Sequence, residues 1–179
     1  MAIVIYLLPL GKVERELLEH LVSQVGRIFS CRVEIKRALS RPEYAYNEER
    51  NQYCADLILE KLEREDWKEE EKVLGVADLD LYTPGLNFVF GEASLNGKVA
   101  LIGLSRLRQG FYGLPDEENL FYERAAKEAV HELGHAFGLN HCKNKRCVMY
   151  FSNSLFDTDR KRKEFCKDCR KRIFRRFPE

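Results

Sequence analysis

Three of the chain's four histidines fall within one short stretch, His131-Glu132-Leu133-Gly134-His135-Ala136-Phe137-Gly138-Leu139-Asn140-His141. No other segment restricts the fold as tightly. At about 100° per residue, helical positions four apart lie on one face about one turn apart, so His131 and His135 can reach one ion at about 2.0–2.1 Å from a single rigid helix. Gly138 accepts a left-handed conformation cheaply, which lets the helix stop and the chain turn sharply back so that His141 joins the pair.

Three neutral imidazoles leave one coordination position for water. A divalent ion lowers the pKa of such a water from 15.7 toward about 7 and polarises a peptide carbonyl. Glu132, beside His131, is placed to contact that water without ligating the metal, and is read as the general base. The expected chemistry is metal-assisted hydrolysis at a zinc ion held by His131, His135 and His141. His20, on a charged helix, reads as a surface residue.

Cys142 follows His141 directly, then come Cys147, Cys166 and Cys169, so that four of the chain's six cysteines lie beyond the histidine motif. Two such pairs can present four thiolates about 2.3 Å from one ion as a closed tetrahedron with no place for water, so a second, structural zinc is expected. The chain shows no export signal, and this favours metal over disulfides. Cys31 and Cys54 lie on apolar faces and read as buried thiols.

Charge is divided along the chain. Positions 142–179 hold 13 Lys+Arg against 5 Asp+Glu, a formal +8, and positions 1–141 hold 17 against 24, a formal −7, which together return the net +1. A global bias toward nucleic acid or acidic membrane is therefore excluded. A basic tail stapled by zinc leaves a second reading open, a catalytically silent zinc module that binds nucleic acid or protein, but nucleic acid is disfavoured because no stacking aromatics can be assigned. No apolar run approaches the roughly 18 residues that span a bilayer, and Met1–Leu10 lacks a basic leader and cleavage site. The chain is expected to be soluble and cytoplasmic; its oligomeric state is not legible.

The segment before the cysteines alternates. Met1–Leu10 reads as a buried strand, Val13–Phe29 as an amphipathic helix, Cys31–Leu39 as a strand, Asn47 to about Leu62 as a helix, and Val73–Tyr82 as a central strand. Asn87–Ala93 and Lys98–Arg106 form a hairpin across Asn96-Gly97. A loop at Gly110–Pro115 precedes a helix capped by Asp116 that runs to Phe137. Such alternation implies an α/β fold with right-handed crossovers and a mixed, mostly parallel five-stranded sheet with one antiparallel strand, packed on helices. Residues 1–141 are expected to form the catalytic domain and 142–179 a small zinc-stapled segment integrated with it.

His131-Glu132-x-x-His135-x-x-Gly138-x-x-His141 followed by a methionine resembles the metzincin clan of zinc peptidases. His141-Cys142, four residues, Cys147, one residue, Met149 and a later Cys166-x-x-Cys169 resemble the archaemetzincins, or archaelysins, more sharply, across positions 131–169. The resemblance implies a zincin-like α+β fold, a peptide or unfolded polypeptide as substrate, and compatibility with aminopeptidase-like action. It also implies that Met149 forms a hydrophobic floor under the catalytic zinc, and that Asn87–Ala93 is the edge strand that binds extended substrate.

Overall fold

The computed structural model describes residues 3–175. Its frame is a five-stranded sheet built from β1 (Val4–Leu10), β2 (Arg32–Ile35), β5 (Glu71–Ala77), β7 (Gly91–Ala93) and β8 (Val99–Gly103), in the order β2-β1-β5-β8-β7. The β1–β2, β1–β5 and β5–β8 pairs are parallel, and β7 runs antiparallel, against β8. Between them in the chain lie β3 (Tyr46–Asn47), β4 (Gln52–Cys54) and β6 (Leu81–Tyr82), a small second sheet.

The period-2 alternation of the strands decides what packs on each face. Ile5, Leu7, Leu74, Val76, Ala100 and Ile102 point to one side, where α1 (Arg15–Phe29) and α3 (Glu118–Ala136) cover them. Leu8, Leu10, Val73, Ala77, Val99 and Leu101 point to the other, under α2 (Ala55–Glu63). With both faces covered, β1 and β8 must be apolar at nearly every position, which is why their sequences carry no polar alternation. The last elements, α4 (Leu155–Arg160) and α5 (Lys167–Phe174), return to α3, and Cys147, Val148, Met149, Cys169 and Ile173 join the same core as α1. Residues 176–179, the end of the expected C-terminal segment, lie outside the described residues. Among the described residues no helix is long and apolar enough to cross a membrane.

The fold class, the central place of β5 and an antiparallel edge strand agree with expectation, although that strand shortens from Asn87–Ala93 to Gly91–Ala93 and its partner from Lys98–Arg106 to Val99–Gly103. Several boundaries differ. The strand expected over residues 31–39 shortens to Arg32–Ile35, with Leu39 kept only as a parallel bridge to Leu10. The helix expected from Asn47 begins at Ala55, because the preceding residues pair as β3 and β4. The strand expected over 73–82 is two, β5 and β6. Asp116 does not cap α3; Glu117 holds that position, and Asp116 Oδ1 accepts from Gly110 N at 2.7 Å in the preceding loop.

Ile102 is fully buried between β8 and α3, whereas Leu57 on α2 is 45% exposed. Ile102→Ala should lower unfolding free energy by about 2–5 kcal/mol and Leu57→Ala by less than about 0.5 kcal/mol, read as urea midpoints at constant slope.

Candidate active site

Helix α3 is buried on nearly all sides from Arg124 to Gly134. The structure brings its two histidines and His141 together: their ligand-capable nitrogens lie within 4.8 Å of one another. Gly138 has φ +84°, and its N–H closes on His135 O at 2.7 Å while Leu139 N closes on Gly134 O at 2.9 Å, the backward turn expected of it.

Each helical histidine is oriented by a main-chain carbonyl. His131 Nδ1 lies 2.7 Å from Val148 O and His135 Nδ1 lies 2.7 Å from Leu139 O. A carbonyl oxygen can only accept, so both Nδ1 atoms carry the proton and both Nε2 atoms present lone pairs. Those Nε2 atoms stand 3.1 Å apart with no proton between them, an arrangement that repels unless a cation sits between the lone pairs. Burial holds all three imidazoles below their ordinary pKa, His131 furthest, so they stay in the neutral form that ligates. Burial, and then neighbouring Glu128, push the Glu132 carboxyl well above its ordinary range, while Lys161 pulls it back.

The floor beneath the histidines depends on Gly134. A Cβ there would land on Met149 Sδ and 3.1 Å from its Cε, so the absence of a side chain lets the fully buried methionine lie directly against the helix. The roof depends on Gly91 in β7, where a Cβ would stand 2.6 Å from Glu132 Cγ and 2.6 Å from Leu101 O. The cleft between roof and floor is bounded further by Phe151 and Ser152.

The four cysteines also converge, with sulfurs within 4.8 Å of one another. Cys142 N donates to Met149 O at 2.8 Å, fixing the return beside His141. Burial lifts the Cys147 thiol to about 11 and raises Cys169 as well. Burial would raise Cys166 too, but donors at Cys169 and Asp168 outweigh it and bring that thiol below its ordinary value. Four crowded sulfurs resist ionising together without a countercharge, and a divalent cation is what reverses that.

A model described as peptidase family M54 matches residues 12–175. The chain belongs to the archaemetzincin family. It is 49% identical to the archaemetzincin of Methanocaldococcus jannaschii over 165 residues, 92% of this chain and 89% of that protein. It is 44% identical to that of Pyrococcus furiosus over 180 residues, covering 97% and 93%. The crystal structure of the Archaeoglobus fulgidus archaemetzincin, complexed with malonate, superposes with a TM-score of 0.82 at 39% identity, covering 95% of this chain and 99% of that one. The Methanopyrus kandleri archaemetzincin gives 0.85 at 36% identity, covering 97% and 94%. Membership makes the chain a zinc metallopeptidase, a class that acts on peptides.

Within this archaemetzincin fold the structure adds residues that the sequence did not single out. Glu128, one turn before Glu132, pairs through Oε1 with Lys161 Nζ at 3.1 Å and accepts from Thr158 Oγ1 at 3.2 Å, and both charged side chains are almost fully buried. Arg124 and Asp159 form a two-bond pair at 2.7 Å each, and Lys127 Nζ donates to Thr158 O at 3.0 Å. The partners of these charges lie far along the chain, in α4 and just beyond it, where no local pattern points to them. His20, expected at the surface, is instead half-buried with its ring 5.4 Å from that of Tyr122. The segment that carries it packs against α3, which removes one side from solvent.

Gly134→Ala should destabilise the protein by about 1–3 kcal/mol through overpacking against Met149, seen as a lowered melting temperature in the metal-loaded protein.

Proposed function

We propose that the chain hydrolyses peptide bonds with Glu132 as general base, that His131, His135 and His141 hold the catalytic zinc, and that Cys142, Cys147, Cys166 and Cys169 hold a second, structural zinc. The observation that carries this reading is the 3.1 Å approach of two imidazole Nε2 atoms whose Nδ1 protons are committed to carbonyls. When bound, zinc supplies Lewis acidity and lowers the pKa of a water. Residues of the chain do the rest. Val148 O and Leu139 O keep the rings aimed, and Met149 closes the floor against Gly134. Glu132 sits in the cleft where burial and Glu128 favour its protonated form, so its carboxylate is suited to take a proton and pass it to the leaving amine.

Substrate binding is assigned to the open edge of β7. The alternation of the ladder turns the peptide groups of Gly91 and Ala93 away from β8, and an extended peptide would add there as a strand with little demand on its sequence. The competing use of the basic tail loses part of its charge to carboxylates of α3: Lys161 pairs with Glu128 in the interior, and Lys163 binds both oxygens of the more exposed Glu123 at 2.7 and 3.0 Å. Residues 1–141 and 142–179 are read as one catalytic unit with an integrated staple.

Glu132→Gln should lower peptide turnover by about 10²–10⁴-fold at unchanged metal content; unchanged turnover removes Glu132 as base. A peptide-library digest with product termini mapped separates stepwise release of N-terminal residues, the aminopeptidase-like outcome, from internal cleavage. Metal analysis should find two zinc per chain, one after His135→Ala, and Cys169→Ser should lose the structural zinc together with tail order. A wild-type content of one would remove the second site.

A further inference from the structure

The mechanism leaves one side of the cleft unused. Gly91 turns toward α3 and Glu132, so Glu92, the next residue along β7 and the partner of Leu101, turns to the other face of the sheet, toward α2. There its carboxylate meets Asp56, from the first turn of α2, and Thr83, whose hydroxyl donates to Asp56 Oδ1 at 2.6 Å. Glu92 Oε2 is buried with no hydrogen-bond partner among the described residues. Burial, and then Asp56, raise this carboxyl to about 7. The neighbourhood withholds the positive partner that would make its ionisation easy. The whole cleft, about 590 Å³, has the carboxylates of Glu92, Glu128 and Glu132 on its walls and, among the described residues, neither Lys nor Arg, in a chain that carries 30 of them. Glu128 is already matched by Lys161, so the carboxylate of this wall left without a cationic partner is that of Glu92.

Backbone register decides which part of a substrate meets Glu92. Phe90 O accepts from Gly103 N at 2.8 Å and Ser94 N donates to Val99 O at 3.0 Å. Alternation between those bonds points the peptide groups of Glu92 at β8 and those of Gly91 and Ala93 at the open edge. A peptide added antiparallel to that edge would bond to Gly91 and Ala93. Its residue opposite Glu92 would take the narrow, non-hydrogen-bonded position, where Cα atoms are about 4.5 Å apart and side chains share a face. We propose that Glu92 is a specificity-determining residue that selects a positively charged group at that substrate position, either a Lys or Arg side chain or the α-ammonium of a chain that ends there. The inference rests on the edge-strand reading of substrate binding given above. A charge-assisted pair in this half-buried wall is stronger than one at an open surface, and Asp56 brings a second carboxylate within reach of the same cation.

The test compares zinc-loaded wild type with Glu92→Gln on peptides that carry Lys, Arg or norleucine at each position around the scissile bond, with free or acetylated N-termini. One position should favour Lys and Arg over norleucine by about tenfold in kcat/KM, and Glu92→Gln should bring that ratio to about one. If acetylation rather than the side chain abolishes the preference, the cation read is the α-ammonium. A ratio near one at every position with free and acetylated termini alike, or a preference that survives Glu92→Gln, overturns the proposal. Should the wild type turn over none of the peptides, the proposed peptidase reading fails instead. The role of Glu92 is then decided by binding of the same peptides to the zinc-loaded wild type and Glu92→Gln proteins by fluorescence anisotropy. Loss of the Lys-over-norleucine affinity ratio in Glu92→Gln supports the proposal, and equal affinities in the wild type overturn it.

Discussion

The proton that His131 Nδ1 gives to the Val148 carbonyl joins the buried helix α3 to the chain that returns beneath it, and the rest of the site is arranged around that bond. It selects the tautomer of the imidazole and sets the height at which Met149 passes under Gly134. With Cys142 N on Met149 O, it also brings Cys142 and Cys147 to the same end of the helix as His141. The histidine and cysteine clusters thus share a backbone, and neither could move without displacing the other.

The parts of this arrangement that were legible in the sequence are those governed by short-range rules. The spacing of His131 and His135 follows from helical geometry, the turn at Gly138 from φ +84°, and the pairing of β7 with β8 from Asn96-Gly97, where Asn96 takes φ +57°. The mostly parallel character of the sheet followed from alternation, whereas the order of its strands is shown only by the structure. The limits of the elements did not follow either, because Tyr46–Asn47 and Gln52–Cys54 are held in strands by contacts with one another and with Leu81–Tyr82 that no local pattern encodes. Gly91 and Gly134 carried no signal beyond being glycines. Their meaning is a clearance against a side chain elsewhere in the fold.

The division of charge also changes meaning in three dimensions. As a sequence, positions 142–179 are a basic tail attached to an acidic body. In the fold, Lys161, Lys163 and Asp159 cross to α3 and meet Glu128, Glu123 and Arg124, so the two halves interlock through opposite charges on one helical face. Glu128 belongs both to that lock and to the wall of the cleft, whose described residues also include Glu92 and Glu132 but neither Lys nor Arg.

The Glu128–Lys161 pair has a consequence for how such a chain is made. Glu128 is enclosed by the core and its counterion stands far downstream in the chain, so the active-site helix cannot reach its final surroundings while the ribosome still holds Lys161. An isolated carboxylate is costly to bury. The surroundings of the histidine cluster thus draw on both sides of it in the chain, and they close only once the segment that carries Lys161 has folded onto α3.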